Sequence, residues 1–301
     1  MNSSGDILHT HGLWRYPSWV AMEWKERFRK PHVASIHGML QPWAWHHRAM
    51  RKRPIWKLIE YKNLQSADLL HATSEREAHA FRERGLSAPI ALIPHGVDFS
   101  GPFDQSPGNL EEGSRTALFL SRLHPTKGIP LLLEAWSKIR PENWTLEIAG
   151  PDENGHLNEL TRLTHELGIS DCVQFSGAIF GEEKREAFQR CSLFILPTLS
   201  ENFGIVIAEA MAHQRPVITT QGAPWSLLEK EECGWWVPPT VQGLADAIEE
   251  STEMSPEDLQ AMGTIGERIV SERFSWSNIA TEFQDCYLWL LGNGPKPGCI
   301  L

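Results

Sequence analysis

The sequence of 301 residues lacks the long apolar run that a membrane-spanning helix requires, which is about 20 residues. Residues 1–6 show no basic stretch followed by an apolar core, so no secretory signal is visible either. These two absences lead us to expect a cytoplasmic protein.

Cysteine is scarce and shows no pairing pattern. The five cysteines lie far apart and form no C-x-x-C pair: Cys172, Cys191, Cys233, Cys286 and Cys299. A disulfide framework and a zinc knuckle are therefore not indicated, and we expect reduced thiols. The final three residues, from Cys299 onward, are one residue too short for a prenylation motif.

Positive charge is also in deficit, since 28 Lys and Arg residues face 38 Asp and Glu residues for a net charge of −10. We therefore expect no nucleic-acid partner. One stretch is an exception, because cations and tryptophans are interleaved there with a single acid: Trp43, Trp45, Arg48, Arg51, Lys52, Arg53, Trp56, Lys57, Glu60 and Lys62. This pattern is typical of a helix at an anionic lipid surface, but also of a solvated helix whose tryptophans pack in the core. Peripheral membrane contact is therefore one of two open interpretations.

What the sequence does contain is an alternation of short apolar runs and helical segments, which predicts parallel sheets covered by helices on both faces. Strands are predicted at residues 6–11, 32–37, 69–72, 90–93, 117–120, 145–149, 173–175, 193–196 and 217–219. Helices are predicted at residues 43–66, 75–84, 129–138, 157–167, 183–190, 205–213, 241–253, 256–273 and 276–291.

The alternation divides the chain into two Rossmann-like α/β domains. Residues 1–99 form the first, which has only four predicted strands, and residues 100–114 are rich in glycine and proline and predict a linker. Residues 115–274 form a complete doubly wound domain. Residues 275–291, capped by Ser275, predict a last helix that packs back toward the first domain.

The loop after the first strand of the second domain carries two cations. Arg122 and Lys127 bracket a turn within Ser121–Gly128, and the next helix begins directly after it. Ligands of open parallel sheets bind outside the carboxyl ends of the strands. Two cations and a helix N-terminus at that edge predict a diphosphate site.

The loop at residues 197–204 carries carboxylates instead. Glu201 lies in the loop, Gly204 permits close approach of a ligand to the backbone, and Glu209 lies just over one turn into the following helix. Carboxylates accept hydrogen bonds from sugar hydroxyls, and free helix N–H groups donate to phosphate. The combination predicts a site for a nucleotide sugar.

These motifs resemble those of the retaining glycosyltransferases of family 4, which have the GT-B fold. Glu201 and Glu209 form an E-x7-E signature within E-N-F-G-I-V-I-A-E-A, and Ser121–Gly128 matches the family's diphosphate loop. Residues 93–98, I-P-H-G-V-D, resemble the family's P-N-G-V-D segment, with His95 in place of the usual Asn. Residues 222–225 and 233–237 are similar to the subgroup that builds bacterial surface polysaccharides, including lipopolysaccharide.

The resemblance implies a metal-independent hexosyltransferase that needs no cofactor and uses a nucleoside-diphosphate sugar as co-substrate. The catalytic residues would be His37, Glu201, Arg122 and Lys127. The donor would be bound by Arg122, Lys127, Gly150, Glu201, Asn202, Phe203, Gly204, Ile205 and Glu209, with Glu201 on the sugar and Glu209 on the ribose. The acceptor would be a glycan or a lipid-linked glycan at the inner face of the membrane.

In the first domain the same resemblance points to residues that follow two strands. His37 would lie near the reacting carbon of the donor, and His11, Gly12 and Gly38 would line the acceptor side. The H-x-H spacing of His9 and His11 also permits a zinc site, but without nearby acidic or cysteine ligands this is the weaker interpretation.

Two further expectations stay open. Trp225 and Trp235 either line the site or pack in the core, whereas Trp136, Trp144 and Trp289 are expected to be packing residues. The family's first β-α units, with a glycine-rich loop, have no counterpart before Asp6. The chain is therefore interpreted either as an active enzyme whose missing part lies elsewhere or as a weakly active or inactive fragment that binds nucleotide sugars.

Overall fold

The computed structural model describes residues 5–47, 49–98 and 114–301. The chain divides into two compact units, the first formed by Met1–Gly96 with Trp276–Leu301 and the second by Val97–Ser275. The predicted linker at residues 100–114 lies outside the described residues, apart from Ser114.

The elements follow one another in an α/β alternation. They are β1 (Leu8–His11), α1 (Tyr16–Phe28), β2 (His32–Ser35), α2 (Pro42–His46), α3 (Ala49–Ile55), a π-helical turn (Trp56–Glu60), α4 (Tyr61–Ser66), β3 (Leu69–Ala72), α5 (Glu75–Glu83), β4 (Ile90–Leu92), β5 (Arg115–Leu120), a 3₁₀ turn (Pro125–Lys127), α6 (Ile129–Ile139), β6 (Trp144–Ala149), α7 (His156–Glu166), β7 (Val173–Gly177), α8 (Gly181–Arg190), β8 (Leu193–Leu196), α9 (Ile205–Ala212), β9 (Val217–Thr220), α10 (Leu227–Lys230), β10 (Gly234–Val237), α11 (Val241–Glu253), α12 (Pro256–Phe274) and α13 (Trp276–Leu290).

The first unit is built on a parallel sheet with the strand order β1-β2-β3-β4. All residues of its inner strands are buried, as expected for a parallel sheet that is covered on both sides. Helix α13 contributes Ile279 and Cys286 to a buried cluster with Val33, Leu69 and Ile93. The last helix of the chain therefore packs within the first unit.

The segment after α13 extends this sheet. The N–H of Leu92 donates to the carbonyl of Cys299 at 2.8 Å, and the N–H of Leu301 donates to the carbonyl of Ile90 at 2.8 Å. These bonds satisfy backbone groups along β4, which would otherwise be an open sheet edge.

The single helix predicted at residues 43–66 is wrong in detail, because the structure breaks it into α2, α3, the π-helical turn and α4. Pro54 lies inside α3 and has no N–H to donate to the preceding turn. The backbone adjusts directly afterwards by the wider π turn. Helix α1 was not predicted, and its buried positions are few: Ser18, Ala21 and Trp24.

The second unit contains a six-stranded parallel sheet with the order β10-β9-β8-β5-β6-β7. Counted from β5, this is the doubly wound order 3-2-1-4-5-6, whose direction of winding reverses between β5 and β8. The two strands pair directly, with Ala117 opposite Leu193 and Leu118 opposite Phe194. A ligand crevice is expected outside the carboxyl ends of these two strands.

The α/β fold class with two Rossmann-like units is therefore confirmed. Strands β3 and β8 have the predicted bounds, and the other predicted strands differ by a few residues at their ends. Strand β10 was missed as a strand. Its four residues, Gly234–Val237, are all only partly buried and show no alternation.

The core of the second unit lies between the sheet and its helices. Leu118, Phe119, Phe194 and Ile195 have no exposed side-chain surface, and Trp136 covers the sheet from α6. Each such large apolar side chain stabilises the fold by about 1.5–3 kcal/mol. In the part of the chain that the structure describes, no helix is both long and apolar enough to cross a bilayer.

Candidate functional site

The loops after β5 and β8 are joined by backbone contacts at the reversal point of the second sheet. Gly128 has φ of 69°, and a Cβ there would overlap the carbonyl oxygen of Pro197. The N–H of Leu199 donates to the carbonyl of Thr126 at 2.8 Å. Only glycine fits this crossing, so the two loops are held side by side by the backbone itself.

The loop after β9 supports the loop after β8 from the other side. A Cβ on Gly222 would overlap the carbonyl oxygen of Thr198, and the N–H of Glu201 donates to the carbonyl of Gly222 at 3.0 Å. The Thr220 hydroxyl also donates to the Thr198 carbonyl. The backbone that carries Glu201 is therefore fixed on both sides.

Lys127 and Glu201 meet in this supported region. The Lys127 Nζ lies 2.5 Å from Oε2 of Glu201, and their side chains are only 10% and 18% exposed. The other carboxylate oxygen, Oε1, accepts a hydrogen bond from the N–H of Asn202 at 3.2 Å. A cation and a carboxylate predicted for one site are thus in direct contact.

Gly204 opens helix α9 beside this pair. It has φ of 83°, and a Cβ on it would lie 3.1 Å from Cγ of Glu201 and 3.0 Å from Cδ1 of Ile207. The N–H of Ile207 donates to the carbonyl of Gly204 at 2.8 Å. The N–H groups before it, those of Ile205 and Val206, have no carbonyl partner within the helix. They carry the partial positive charge of the helix terminus next to the Lys127–Glu201 pair.

Trp225 packs in the core and does not line the site. It is 1% exposed, its indole N–H donates to the carbonyl of Phe203, and its ring lies 5.2 Å from the ring of Phe203 and 5.4 Å from that of Phe274. Its effect on the site is indirect, because it anchors the loop between Glu201 and Gly204. Trp136 and Trp144 are buried, as predicted. The partly buried Trp235 and Trp289 pack against the cores of their respective units.

Arg122 pairs with a different carboxylate, that of Glu153. Its guanidinium donates to Oε2 of Glu153 at 2.6 Å, and its side chain is 58% exposed. Gly150 packs against the same loop, because its φ of 144° and the overlap of a Cβ with the carbonyl of Ser121 exclude any side chain. Gly150 therefore has a packing role that the sequence did not reveal.

Glu209 lies on α9 and is paired with a residue that the sequence analysis missed. The Lys184 Nζ, on α8, donates to Oε1 of Glu209 at 2.7 Å. The second oxygen, Oε2, is buried and has no hydrogen-bond partner among the described residues. No local pattern identifies Lys184, because the contact depends on how α8 and α9 lie across the sheet.

In the first unit, histidines gather at the carboxyl ends of the strands. His37 follows β2 with φ of 53°, a left-handed conformation that is uncommon for a residue with a side chain. Its Nε2 lies 2.9 Å from Nδ1 of His11, and its ring lies nearly parallel to the rings of His11 and His95, with centroid distances of 5.2 Å and 5.6 Å. The predicted His11 and His37 are therefore together, and His95 joins them.

A buried carboxylate holds the loop at His37. Glu77 is 1% exposed and accepts hydrogen bonds from the N–H groups of Gly38 at 2.5 Å and Thr73 at 2.8 Å. Sequence reasoning missed Glu77, although Ser74 and Glu77 have the S-x-x-E spacing of a capping box, and Ser74 does cap α5. The backbone at Gly12 is held by a different contact, since its N–H donates to the backbone carbonyl of Ser35 at 2.8 Å.

A chain of hydrogen bonds runs behind these histidines. It joins the Tyr287 hydroxyl to His9 at 2.7 Å, His9 to the Ser35 hydroxyl at 2.7 Å, Ser35 to His71 at 2.6 Å, and His71 to the carbonyl of Ile93 at 2.7 Å. Burial lowers the pKa of His9 to about 3 and that of His71 to about 4, so both rings are neutral near neutral pH.

Neutral rings fix the direction of this chain, since a carbonyl only accepts. His71 must donate to Ile93, Ser35 to His71, His9 to Ser35, and Tyr287 to His9. Burial, followed by the nearby His95 and His11, likewise lowers the pKa of His37 to about 4.

The zinc interpretation of the H-x-H spacing finds no ligand set. Within residues 5–47, 49–98 and 114–301, no group of three His, Cys, Asp or Glu side chains is arranged to hold a metal ion. His9 and His11 make the hydrogen bonds described above instead.

Comparison with protein families matches most of the chain. Residues 114–253 match the sequence model of the glycosyl transferases group 1, and residues 4–100 match that of Glycosyltransferase Family 4. The two matches correspond closely to the second and first units.

Individual proteins support the same relationship. The chain is 27% identical to a D-inositol 3-phosphate glycosyltransferase of Streptomyces bingchenggensis, over 94% of this chain and 66% of the relative. Among solved structures it resembles a sucrose-phosphate synthase of Thermosynechococcus elongatus, with a TM-score of 0.81 and 25% identity over 95% of this chain and 74% of that one. It also resembles the Anabaena protein HepE in complex with UDP and glucose, with a TM-score of 0.75 and 23% identity over 95% and 78% of the two chains.

The chain spans between 46% and 66% of the length of the first three curated relatives that it matches. The two family matches, the strand order of the second unit and the similarity of fold agree with one another. The chain belongs to the family 4 glycosyltransferases, which have the GT-B fold.

Proposed function

We propose that this protein is a retaining glycosyltransferase that moves a sugar from a nucleoside-diphosphate sugar to a glycan or lipid-linked glycan. The observation that carries the proposal is the contact of Lys127 with Glu201 at the reversal point of the second sheet, beside the N-terminus of α9. A cation, a carboxylate and free N–H groups at one sheet edge match the diphosphate and the hydroxyls of such a donor.

In this proposal the diphosphate binds between Lys127 and the first N–H groups of α9. Arg122 adds a second cation after leaving its surface partner Glu153, which costs little because exposed ion pairs contribute at most about 1 kcal/mol. Glu201 accepts from hydroxyls of the donor sugar, and Glu209 accepts from the ribose. The HepE structure, in complex with UDP and glucose, is consistent with this class of ligand.

Catalysis then depends on electrostatic stabilisation of the departing diphosphate. Fixed cations and a helix terminus in a partly dry site supply such stabilisation without reorganisation, and removal of one donor of this kind costs about 3–4 kcal/mol in other enzymes. Because Arg122, Lys127 and α9 supply the positive charge, we propose that transfer needs no metal ion. We propose His37 as a further catalytic residue.

The acceptor class is supported by an exposed surface of the first unit. Trp43, Met50 and Leu58 are 48%, 91% and 70% exposed, and exposed cations accompany them at Arg51, Arg53 and Lys57. Apolar side chains interleaved with cations favour contact with an anionic membrane. We therefore include peripheral membrane contact, and a role in surface polysaccharide synthesis, in the proposal.

Calorimetry with UDP, GDP and ADP tests the donor site. At least one nucleotide should bind, and Lys127→Ala with Arg122→Ala should weaken it about a hundredfold or more, since two charge-assisted contacts are lost. Arg140→Ala is the matched control, because Arg140 forms a comparably exposed pair with Asp171 elsewhere on the second unit. If all three nucleotides fail to bind the unchanged protein, the proposal is wrong.

Transfer is tested separately by donor consumption and retained anomeric configuration in the product. Activity should be lost in Glu201→Gln and in His37→Ala, while EDTA should leave it unchanged. Nucleotide binding without consumption of any nucleotide sugar would favour the second candidate, a protein that binds nucleotide sugars without transferring them.

A further inference from the structure

We propose that Lys184 is a positioning residue for nucleotide recognition: it holds one oxygen of Glu209 so that the other is presented to a ribose hydroxyl. The inference rests on the proposed function, because it assigns a role within the nucleotide site. It concerns a residue outside the E-x7-E signature and outside the diphosphate loop.

The geometry of the pair is asymmetric. Lys184 Nζ donates to Oε1 of Glu209 at 2.7 Å, and the two side chains are 32% and 27% exposed. Oε2 of the same carboxylate is buried and has no partner within the described ranges. A buried carboxylate oxygen without a donor is unfavourable, so its presence indicates a ligand group that completes the site.

The topology places this oxygen at the ligand edge of the sheet. Glu209 is the fifth residue of α9, and Lys184 is the fourth residue of α8. Both helices begin after strands whose carboxyl ends form that edge, since all six strands are parallel. The pair joins residues 25 positions apart at the start of two helices.

The ion pair does more than neutralise charge. A carboxylate on a helix has several rotamers, and the bond to Lys184 selects one of them before the ligand arrives. A site organised in advance loses less entropy on binding than a flexible one. A hydroxyl is the donor that suits Oε2, because a diphosphate is anionic at neutral pH and is repelled by the carboxylate.

The ribose, rather than the donor sugar, is the group assigned to Oε2. Glu201 lies between Lys127 and Gly204 at the opening of α9, where the diphosphate and the sugar are proposed to bind. Glu209 lies about one helical turn further along α9, which is about 5 Å along the helix axis. The nucleoside side of the diphosphate is then the part that reaches it.

The experiment is a thermodynamic cycle in calorimetry. Binding of the nucleoside diphosphate preferred by the full chain is compared with binding of its 2′-deoxy and 3′-deoxy forms, in the unchanged protein and in Lys184→Met. In the unchanged protein, one of the deoxy forms should bind about tenfold more weakly, as expected for a lost hydrogen bond to a charged acceptor. In Lys184→Met the ribose form should weaken, and the ratio between ribose and deoxy forms should shrink to about twofold or less.

Arg185→Met is the matched control. It removes the same charge from the neighbouring position of α8, but Arg185 pairs with the exposed Glu182 and not with Glu209. It should leave both affinities and their ratio unchanged. Lys184→Arg, which restores a donor for Oε1, should recover most of the ratio.

Two results overturn the inference. If Lys184→Met weakens ribose and deoxy forms equally, Lys184 acts only through its charge. If neither deoxy form differs in affinity from the ribose form in the unchanged protein, Oε2 does not bind a ribose hydroxyl. Both results leave the proposed function intact, whereas failure of every nucleoside diphosphate to bind removes the proposed function itself. Thermal unfolding of each variant confirms that the fold is retained.

Discussion

Nζ of Lys127 lies 2.5 Å from Oε2 of Glu201, although the two residues are 74 positions apart in the sequence. Their side chains are 10% and 18% exposed, so neither charge is well hydrated when its partner is absent. The pair is therefore both a part of the proposed donor site and a part of the fold.

This double role predicts the stability of single and double variants. Lys127→Met and Glu201→Gln should each lower the free energy of unfolding by about 1–3 kcal/mol, because each leaves a partly buried group unpaired. The double variant should lose less than the sum of the two. Urea unfolding of the four proteins measures this difference, and strictly additive losses would mean that the contact contributes nothing to stability.

Arg122 should behave differently, because its pair with Glu153 is exposed. Arg122→Ala should change the free energy of unfolding by less than about 0.5 kcal/mol while weakening nucleoside diphosphate binding about tenfold. Glu153→Gln should strengthen binding a few-fold, since it removes the carboxylate that competes for the guanidinium. Calorimetry measures the affinity of each variant for the nucleoside diphosphate. Weaker binding by Glu153→Gln would mean that Glu153 itself contacts the ligand.

Glycine at position 128 should be indispensable. Gly128→Ala adds a Cβ that overlaps the Pro197 carbonyl and also strains the backbone at φ of 69°, for a loss of about 2–5 kcal/mol in unfolding free energy. Gly168→Ala is a matched control, because Gly168 has φ of 68° and no atom within 4 Å of the added Cβ. It should cost only the backbone strain, about 1–2 kcal/mol. Equal losses in urea unfolding would show that the loop crossing is not tight.

The histidines of the first unit predict a pH dependence. Burial lowers the pKa of His9 to about 3 and those of His37 and His71 to about 4, from 6.5 in the unfolded chain. The unfolded chain thus binds more protons below about pH 6.5, so stability should fall as pH drops from about 6.5 toward 4. It should level off below these folded-state values.

His9 and His71, whose rings are more buried than that of His37, should each remove about 1–2 kcal/mol between pH 7 and pH 5, since one pKa unit corresponds to about 1.4 kcal/mol. The more accessible His37 should remove less. Other groups facing them are His11, His95, Tyr287 and Ser35. Hydrogen exchange read by mass spectrometry separates the two units, and His71→Gln should reduce the slope in the first unit alone. An unchanged slope in that variant would assign the pH dependence to other residues.

The exposed surface of the first unit that carries Trp43, Met50 and Leu58 predicts binding to anionic membranes. The protein should co-sediment with vesicles of phosphatidylglycerol but not of phosphatidylcholine, and salt should weaken the binding because charge contributes to it. Leu58→Ser with Met50→Ser, and separately Arg53→Glu with Lys57→Glu, should each reduce binding several-fold. Phe180→Ser is the control, since Phe180 is 68% exposed in the second unit. Equal loss in the control, or salt-independent binding, would contradict a specific basic surface.

The sequence predicted the sheet elements better than the pairings of side chains. Strands β3 and β8 were found with the right bounds because their apolar runs end at clear boundaries. The break within residues 43–66 was missed because no residue type in the sequence marks the extended conformation of His47 that ends α2. Pro54 lies further along, where the helical segment continues through the π turn. Strand β10 has two partly exposed tryptophans and no alternation, so its membership of the sheet depends on pairing with β9.

The candidate site was predicted in part for a related reason. Glu201, Gly204 and Lys127 lie in loops whose place at the sheet edge follows from the strand order alone. Lys184 and Glu77 were missed because their roles arise from contacts with other elements, to Glu209 and to Gly38. Trp225 shows the converse, since a tryptophan next to site loops can support them from the core without touching a ligand.

The double backbone support of the loop after β8 has an evolutionary consequence. Gly128 and Gly222 fix the carbonyl groups of Pro197 and Thr198 without using any side chain of that loop. Residues such as Leu199, which is 49% exposed, are then free to vary while the main chain under Glu201 keeps its place. A loop held in this way can exchange its exposed side chains, and with them the preference of the proposed donor site for one sugar over another, while the backbone that carries Glu201 stays in place.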